Sequence, residues 1–404
     1  VAAFRPIFHN DHLVAWAACK GHQADIGGAQ AGGYNPDARE VWQEALRIPP
    51  LKVVDRGKLR KDVWRMVFSN IRYPIVEDDI RAQIGGTRVG ERGMLDLIDR
   101  YGLEPFLTLK DYLFDSTETM IGREIEAIPD GVYSSESTVF FDGVTDGSEM
   151  TIRLSVTVDG GAVQFDFTGS SPQTPGFVNA PYAATASAVI LTFLMLVNPE
   201  IPHNAGILRR IEIVNPEGSF LNASYPAATT FGNSITGPTS DAIMKAFAQA
   251  VPETVTAGWN RFLGFSVTGT DPRKGRAYSD ILFLALKGGS GATHMADGYD
   301  HIGLINCAGG ILAQDYEMFE IQNPHLLSRH EYATDSAGAG QWRGGLGVET
   351  EFRIDGENVT AVAFGDGIEE GARAFGLFGG GSGSVNRAEL RSPDGDIRVA
   401  ESKQ

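Results

Sequence analysis

The sequence predicts an α+β chain of several subdomains, with a helical arm in the N-terminal third followed by a β-rich mixed region. Three observations carry this expectation. Apolar residues recur at intervals of three and four through Ile80, Ile84, Met94, Leu95 and Ile98, the period of an amphipathic helix. At Pro129-Asp130-Gly131 the texture changes to the period-two alternation of strands. Glycine-dense stretches at Gly288–Gly291, Ala337–Gly347 and Gly376–Gly383 then punctuate short strands without a fixed-period repeat, which disfavours solenoids and propellers. The expected regions are 1–129, 130–255 and 256–404.

Taken in order, Leu13–Cys19 reads as a strand feeding the loop Lys20–Pro36, which holds five glycines. A helix is expected from Asp37, with Asp37 as N-cap and Glu40 as its capping-box partner, ending before Pro49, and a strand at Leu51–Val54. Helices follow over Lys58–Phe68, Val76–Tyr101 and Leu107–Ile128. Strands are then expected at Val132–Phe141, Met150–Val158 and Val163–Phe167, and helices at Tyr182–Leu196 and Thr239–Ala250. In the last third the expected strands are Phe262–Val267, Asp280–Leu286, Tyr316–Ile321, Val348–Ile354 and Val359–Phe364.

With 404 residues, 42% hydrophobic and 21% charged, the composition is that of an ordinary globular protein with a substantial core. The 34 basic and 51 acidic residues leave a net charge of −17, which repels a nucleic-acid backbone. The apolar run Ala183–Val197 is too short to span a bilayer and is interrupted by Thr185, Ser187 and Thr192, so a buried helix is expected there. Cys19 and Cys307 form no CxxC pair, and both fit a reducing cytoplasm. The chain opens at Val1 directly in an apolar stretch without a targeting pattern, a start that reads as a cut within a longer chain.

Candidate chemistry begins at Gly21-His22-Gln23-Ala24-Asp25-Ile26-Gly27-Gly28, where an imidazole and a carboxylate stand three apart on a glycine loop. That spacing suits a metal site, and equally a surface histidine hydrogen-bonded to its neighbouring aspartate. Glu40 and Glu44 would project from one helix face at the pocket border. The alternative is a solvated face with a capping Glu40 and a Glu44–Arg47 pair. His294 and Asp297 in Thr293-His294-Met295-Ala296-Asp297-Gly298, with Asp300 and His301 behind, form a second polar cluster suited to catalysis and substrate positioning; a structural loop is the plainer alternative. A phosphate-binding GxxxxGK[ST] loop, a GxSxG elbow and an HExxH motif are absent from the sequence.

Gly21–Gly28, then Pro36-Asp37-Ala38-Arg39-Glu40 and Gln43-Glu44-Ala45-Leu46-Arg47-Ile48-Pro49-Pro50, resembles the signature of the hydantoinase/oxoprolinase B-type subunits, a family that includes the corresponding subunits of acetone and acetophenone carboxylases. Phe165–Gln173, Asn179-Ala180-Pro181, Pro202–Gly206, Pro226-Ala227-Ala228 and Asp335–Gly347 continue the resemblance in order over nearly the whole chain.

The resemblance implies a metal-carrying subunit of an ATP-dependent assembly. One divalent ion (Mn, Zn or Fe) would be held by His22 with an upstream His-x-x-Asp pair expected just before Val1. Asp25 would orient His22 through its other ring nitrogen, the preferred reading, or act as a base on bound water. ATP would be bound by an A-type partner subunit with an actin-like ATPase fold, and the phosphorylated carbonyl would react in this chain. Departures from the hydantoinase pattern at Thr230-Phe231-Gly232-Asn233 and Asn306–Gly310 lean the expectation towards ketone carboxylation. Hydrolysis of a cyclic amide is the alternative within the family. A non-catalytic scaffold that docks the ATPase is the alternative outside it.

Overall fold

Residues 1–399 are described by a computed structural model. The chain opens with an antiparallel hairpin, β1 (Ala2–His9) and β2 (His12–Lys20), paired from Ala2↔Lys20 to His9↔His12. Asn10 and Asp11 turn it with φ of 49° and 64°, the two positive values that a twisted two-residue hairpin requires. A single turn, α1 (Val41–Glu44), and the two-residue ladder of β3 (Val54–Asp55) with β4 (Lys58–Leu59) lead into α2 (Lys61–Phe68), α3 (Ile75–Tyr101) and α4 (Leu103–Glu126).

The hairpin lies on α3. Gly90 permits the close approach, since a Cβ there would stand 3.1 Å from that of Ala17. Ala3, Arg5 and Ile7 alternate with Phe4 and Phe8 along β1. Ile7 is buried, whereas Phe4 and Trp16 are 67% and 57% exposed. Between α2 and α3, Trp64, Val76 and Ile80 form a small separate core, with the Trp64 indole donating to Glu77 at 2.7 Å.

The middle of the chain folds as a four-stranded sheet in the order β5 (Gly131–Phe140), β6 (Glu149–Asp159), β7 (Ala162–Asp166), β8 (Ile211–Val214), with β7 and β8 parallel. Met150, Ile152, Leu154, Val156 and Val158 are all buried, so one face of β6 is wholly apolar, as period-two alternation dictates. Helices α5 (Tyr182–Leu194) and α6 (Thr236–Phe247) complete this layer: α6 packs on β5 and β6, and α5 packs on α6. Phe165 of β7 meets Phe193 and Phe247 at ring distances of 5.9 and 6.1 Å. The two helices are also joined by a 2.7 Å bond between Thr192 and Ser240 hydroxyls.

The last third contains β9 (Leu263–Asp271), β10 (Arg276–Ile281), α7 (Tyr316–Gln322), β11 (His325–Tyr332), β12 (Val348–Ile354), β13 (Glu357–Gly365) and the small pair β14 (Glu389–Arg391) and β15 (Ile397–Val399). β9 is central in a sheet of order β10-β9-β13, and β11 pairs with β12. The main core cluster includes residues from Tyr34 to Phe364. Behind β10, the fully buried His325 side chain has its Nε2 3.6 Å from Asp280, and burial raises the Asp280 carboxyl to about 6.

Several expectations are corrected. Tyr316–Ile321 is helix, not strand: Asp315 caps it by accepting from the Met318 amide at 2.8 Å, a start signal that apparent alternation concealed. The helix expected from Asp37 begins only at Val41 and runs one turn, with Glu40 at its N-cap and its amide bonded to Gln43. Leu51–Val54 contributes only Val54 to a ladder, and Lys58–Leu59 is strand, because α2 starts at Lys61. The strand expected over Asp280–Leu286 ends at Ile281, and Phe283–Leu286 forms a 3₁₀ turn. The final five residues of the expected third region lie outside the described residues.

This packing has two measurable consequences. Phe165→Ala should lower unfolding stability by about 3–5 kcal/mol in urea titration; a loss below ~1 kcal/mol would mean that its ring cluster is not part of the core. Asp280 has a raised folded-state pKa, so its contribution to stability is present below about 3.8 and is lost as pH rises through about 6. Asp280→Asn should therefore match wild type near pH 4 and exceed it at pH 8 by up to about 3 kcal/mol. Equal melting shifts at both pH values would contradict the assignment.

Candidate functional site

The glycine loop is anchored from several directions. At its start, Val1 and Gly21 exchange two backbone hydrogen bonds of 3.1 Å, so pairing extends to the residue before His22. His22 is exposed, and neither ring nitrogen bonds a protein group among the described residues. Partial desolvation first, with the nearby positive charge of Lys20, holds its pKa below the usual imidazole value. The neutral ring, which is the metal-binding form, is thereby favoured.

Asp25 turns away from that role. Its side chain is fully buried, and its oxygens accept from the Arg72 amide at 2.8 Å, Arg72 Nη1 at 3.1 Å and the Gly32 amide at 3.3 Å. None of its hydrogen bonds goes to His22. Farther along the loop, Tyr34 is inserted into the core, stacked on Phe364 at 4.2 Å and edge-on to Phe231 at 6.3 Å.

Glu44 is the second buried carboxylate, only 3% exposed, and it accepts from the Thr229 and Thr230 amides at 2.9 and 2.6 Å. The carbonyl of the same residue lies against Gly28, where φ is 89° and a Cβ would collide with it. Glu40 does not share a face with Glu44: it is exposed and forms a bridge to Ala227, because the helix starts too late to include it. Arg47 likewise bonds the Tyr225 hydroxyl at 2.8 Å and forms no pair with Glu44.

His294 and Asp297 are both exposed on a platform of stitched glycine loops. Asp297 accepts from the Arg343 amide at 2.8 Å, and Asp300 receives both Arg343 Nη atoms, at 2.9 and 3.2 Å. Arg343 thereby holds the Asp300 carboxyl below its usual range. Gly298 donates to the Arg343 carbonyl and Gly345 to that of Ser290, tying the loops together. No hydrogen bond or ion pair joins His294 or Asp297 to His22, Asp25, Glu40 or Glu44 among the described residues.

Sequence reasoning missed Arg72, whose only local signal is its place in the Ile71-Arg72-Tyr73-Pro74 linker, and it missed a buried trio. In that trio Arg261 reaches Asp241 at 2.6 Å and Asp366 at 3.1 Å, with burial raising the pKa of Asp241. A small cavity of mixed polar and apolar lining adjoins it, bounded in part by Asn233, Arg261, Phe262, Leu304, Asn306 and Asp366.

Among the described residues no three His, Cys, Asp or Glu side chains gather into a metal-binding group, so His22 and His294, each with a free imidazole, stand in no closed metal site. No described helix is long and apolar enough to cross a membrane.

The chain is 35% identical to the beta chain of the caprolactamase of Pseudomonas jessenii, over 90% of this chain and 63% of that one. It is 31% identical to the B-type chain of a putative D-/L-hydantoinase of Pseudomonas sp. (strain NS671), over 87% and 61%. It therefore spans less than two thirds of these relatives' length. The crystal structure of the ATP-dependent caprolactamase from Pseudomonas jessenii superposes with a TM-score of 0.83 at 29% identity, covering 100% of this chain and 72% of that one. A nucleotide-free acetone carboxylase structure superposes at 0.87 and 20% identity, over 96% and 53%, a likeness of fold alone. The sequence model for hydantoinase B/oxoprolinase matches residues 1–404, and the chain belongs to that family.

Proposed function

We propose that this chain is a subunit of an ATP-dependent enzyme that opens a cyclic amide, a lactam or hydantoin-type ring, with ATP handled by a partner chain. The observation that carries this reading is the anchored glycine loop bearing an unpartnered His22, its pKa lowered by desolvation, in a chain related to a caprolactamase. An unactivated amide is a poor electrophile, and phosphorylation of its oxygen by ATP on the partner would correct that. Attack of one water at the carbon breaks the C–N bond and releases the ring nitrogen as an amine, leaving an acyl phosphate, and a second water hydrolyses that to the open-chain carboxylate and inorganic phosphate.

Within this proposal, His22 would contribute one nitrogen to a divalent ion whose other donors come from outside the described residues; such an ion supplies Lewis-acid polarisation of oxygen. Asp25 and Glu44 would hold the loop that presents the imidazole. The exposed His294 and Asp297 stand on the loop platform, where substrate contact is open to them.

Ketone carboxylation is supported less. Of the two segments that favoured it, Thr230 is bonded to Glu44 through its amide and Phe231 is fully buried in the core. The departure of that segment from the hydantoinase pattern therefore has a packing explanation.

The test is to incubate the whole assembly with ATP, bicarbonate and a panel of lactams, hydantoins and ketones while following product mass. Ring opening is expected, as a gain of one water that depends on ATP. A gain of carbon dioxide on a ketone would contradict the reading in favour of carboxylation. His22→Ala should cost roughly 10–100-fold or more in turnover, the scale seen when the surroundings of a metal site are disrupted. Unchanged turnover in this variant would reduce the chain to a scaffold.

A further inference from the structure

We infer that Arg72 is a positioning residue that sets the location of His22 through Asp25, and that Asp25 acts as the anchor of the loop and not as a base; this rests on the reading of His22 given above. Arg72 lies between α2 and α3, 47 residues from Asp25. Its amide and one guanidinium nitrogen hold the two Asp25 oxygens, while its second guanidinium nitrogen donates to the Gly28 carbonyl at 2.6 Å. One side chain therefore clamps both sides of the turn at Gly27 and Gly28. The fork of a guanidinium can do this, whereas the single ammonium of a lysine cannot reach both acceptors in the same way.

The position of His22 follows from this clamp. On one side the chain is fixed at Gly21 by its pairing with Val1, and on the other it is fixed at Asp25. The intervening residues carry one further tether, the Gln23 side chain on the Gly21 carbonyl at 3.2 Å. The Asp25 side chain is fully buried while that of Arg72 is 40% exposed. Removing the guanidinium leaves a buried carboxylate with backbone donors alone, and the loop must shift to hydrate it. A base would need an oxygen free to face water or substrate, and both Asp25 oxygens are already engaged.

The test is a double-mutant cycle on the intact assembly with Arg72→Met, Asp25→Asn and the pair, with Arg72→Lys as the conservative variant. Two readouts are followed: amide hydrogen exchange over residues 22–33, and kcat and KM separately. Each single variant should speed exchange in that segment by about 10-fold and lower kcat by about 10–100-fold with KM little changed, the cost of misplacing a reacting group. The double variant should be no worse than either single one, and Arg72→Lys should recover part of the loss.

Loss of activity in Asp25→Asn with unchanged exchange would make Asp25 a direct participant and overturn the inference. So would additive losses, or a raised KM in Arg72→Met, which would put Arg72 on the substrate. If the wild-type assembly turns over no cyclic amide, the proposed reaction fails; the exchange arm still decides whether Arg72 and Asp25 act as one clamp.

Discussion

The buried carboxylate of Glu44 is the constraint on which the arrangement of the site depends. It sits at the end of a one-turn helix too short to be stable by itself, and its two bonds to the Thr229 and Thr230 amides tie that turn to the segment leading into α6. Burying a carboxylate is costly unless its oxygens are hydrogen-bonded, and charge-assisted bonds from backbone amides are the strong kind. With Glu44 fixed, its carbonyl fixes Gly28, the Ala29 amide reaches the Gln43 carbonyl and the Leu46 amide reaches that of Ile26. The glycine loop is shaped by what surrounds it, and its many glycines permit that shape without determining it.

A division of labour emerges among the acidic groups. Asp25, Glu44, Asp241 and Asp366 are buried and each is matched to backbone amides or to an arginine. Arg261, shared by two carboxylates, joins α6 to the turn after β13, and Asn386 bonds the Arg261 and Asp366 carbonyls beside it. Such groups give packing a unique solution more than they add net stability, because desolvation offsets much of their attraction. His22 differs from all of them: its ring nitrogens are left without a protein partner in a site where most polar groups have one.

Long periodic elements were legible in the sequence. Helix α3 and strands β5, β6 and β7 were predicted within a few residues because each repeats its apolar period several times. The single turn α1 and the two-turn α7 were misread because one or two turns give too little period to distinguish helix from strand. Of the site, the glycine loop and its histidine could be read locally. The roles of Asp25 and Glu44 could not, since their partners stand 47 and 185 residues away and nothing in the local pattern of Arg72 or Thr229 points back to them. Placing Glu40 and Glu44 on one helix face failed for the same reason: tertiary bonds, not helical spacing, decide where each one sits.

The central claim is that a pre-shaped loop offers His22 as a ligand. X-ray absorption at the Mn, Fe and Zn edges of the purified assembly, compared between wild type and His22→Ala, tests it most directly. The account predicts imidazole scattering that weakens by one nitrogen ligand, or loss of the metal, in a variant that remains folded. An identical spectrum at identical metal content would contradict it.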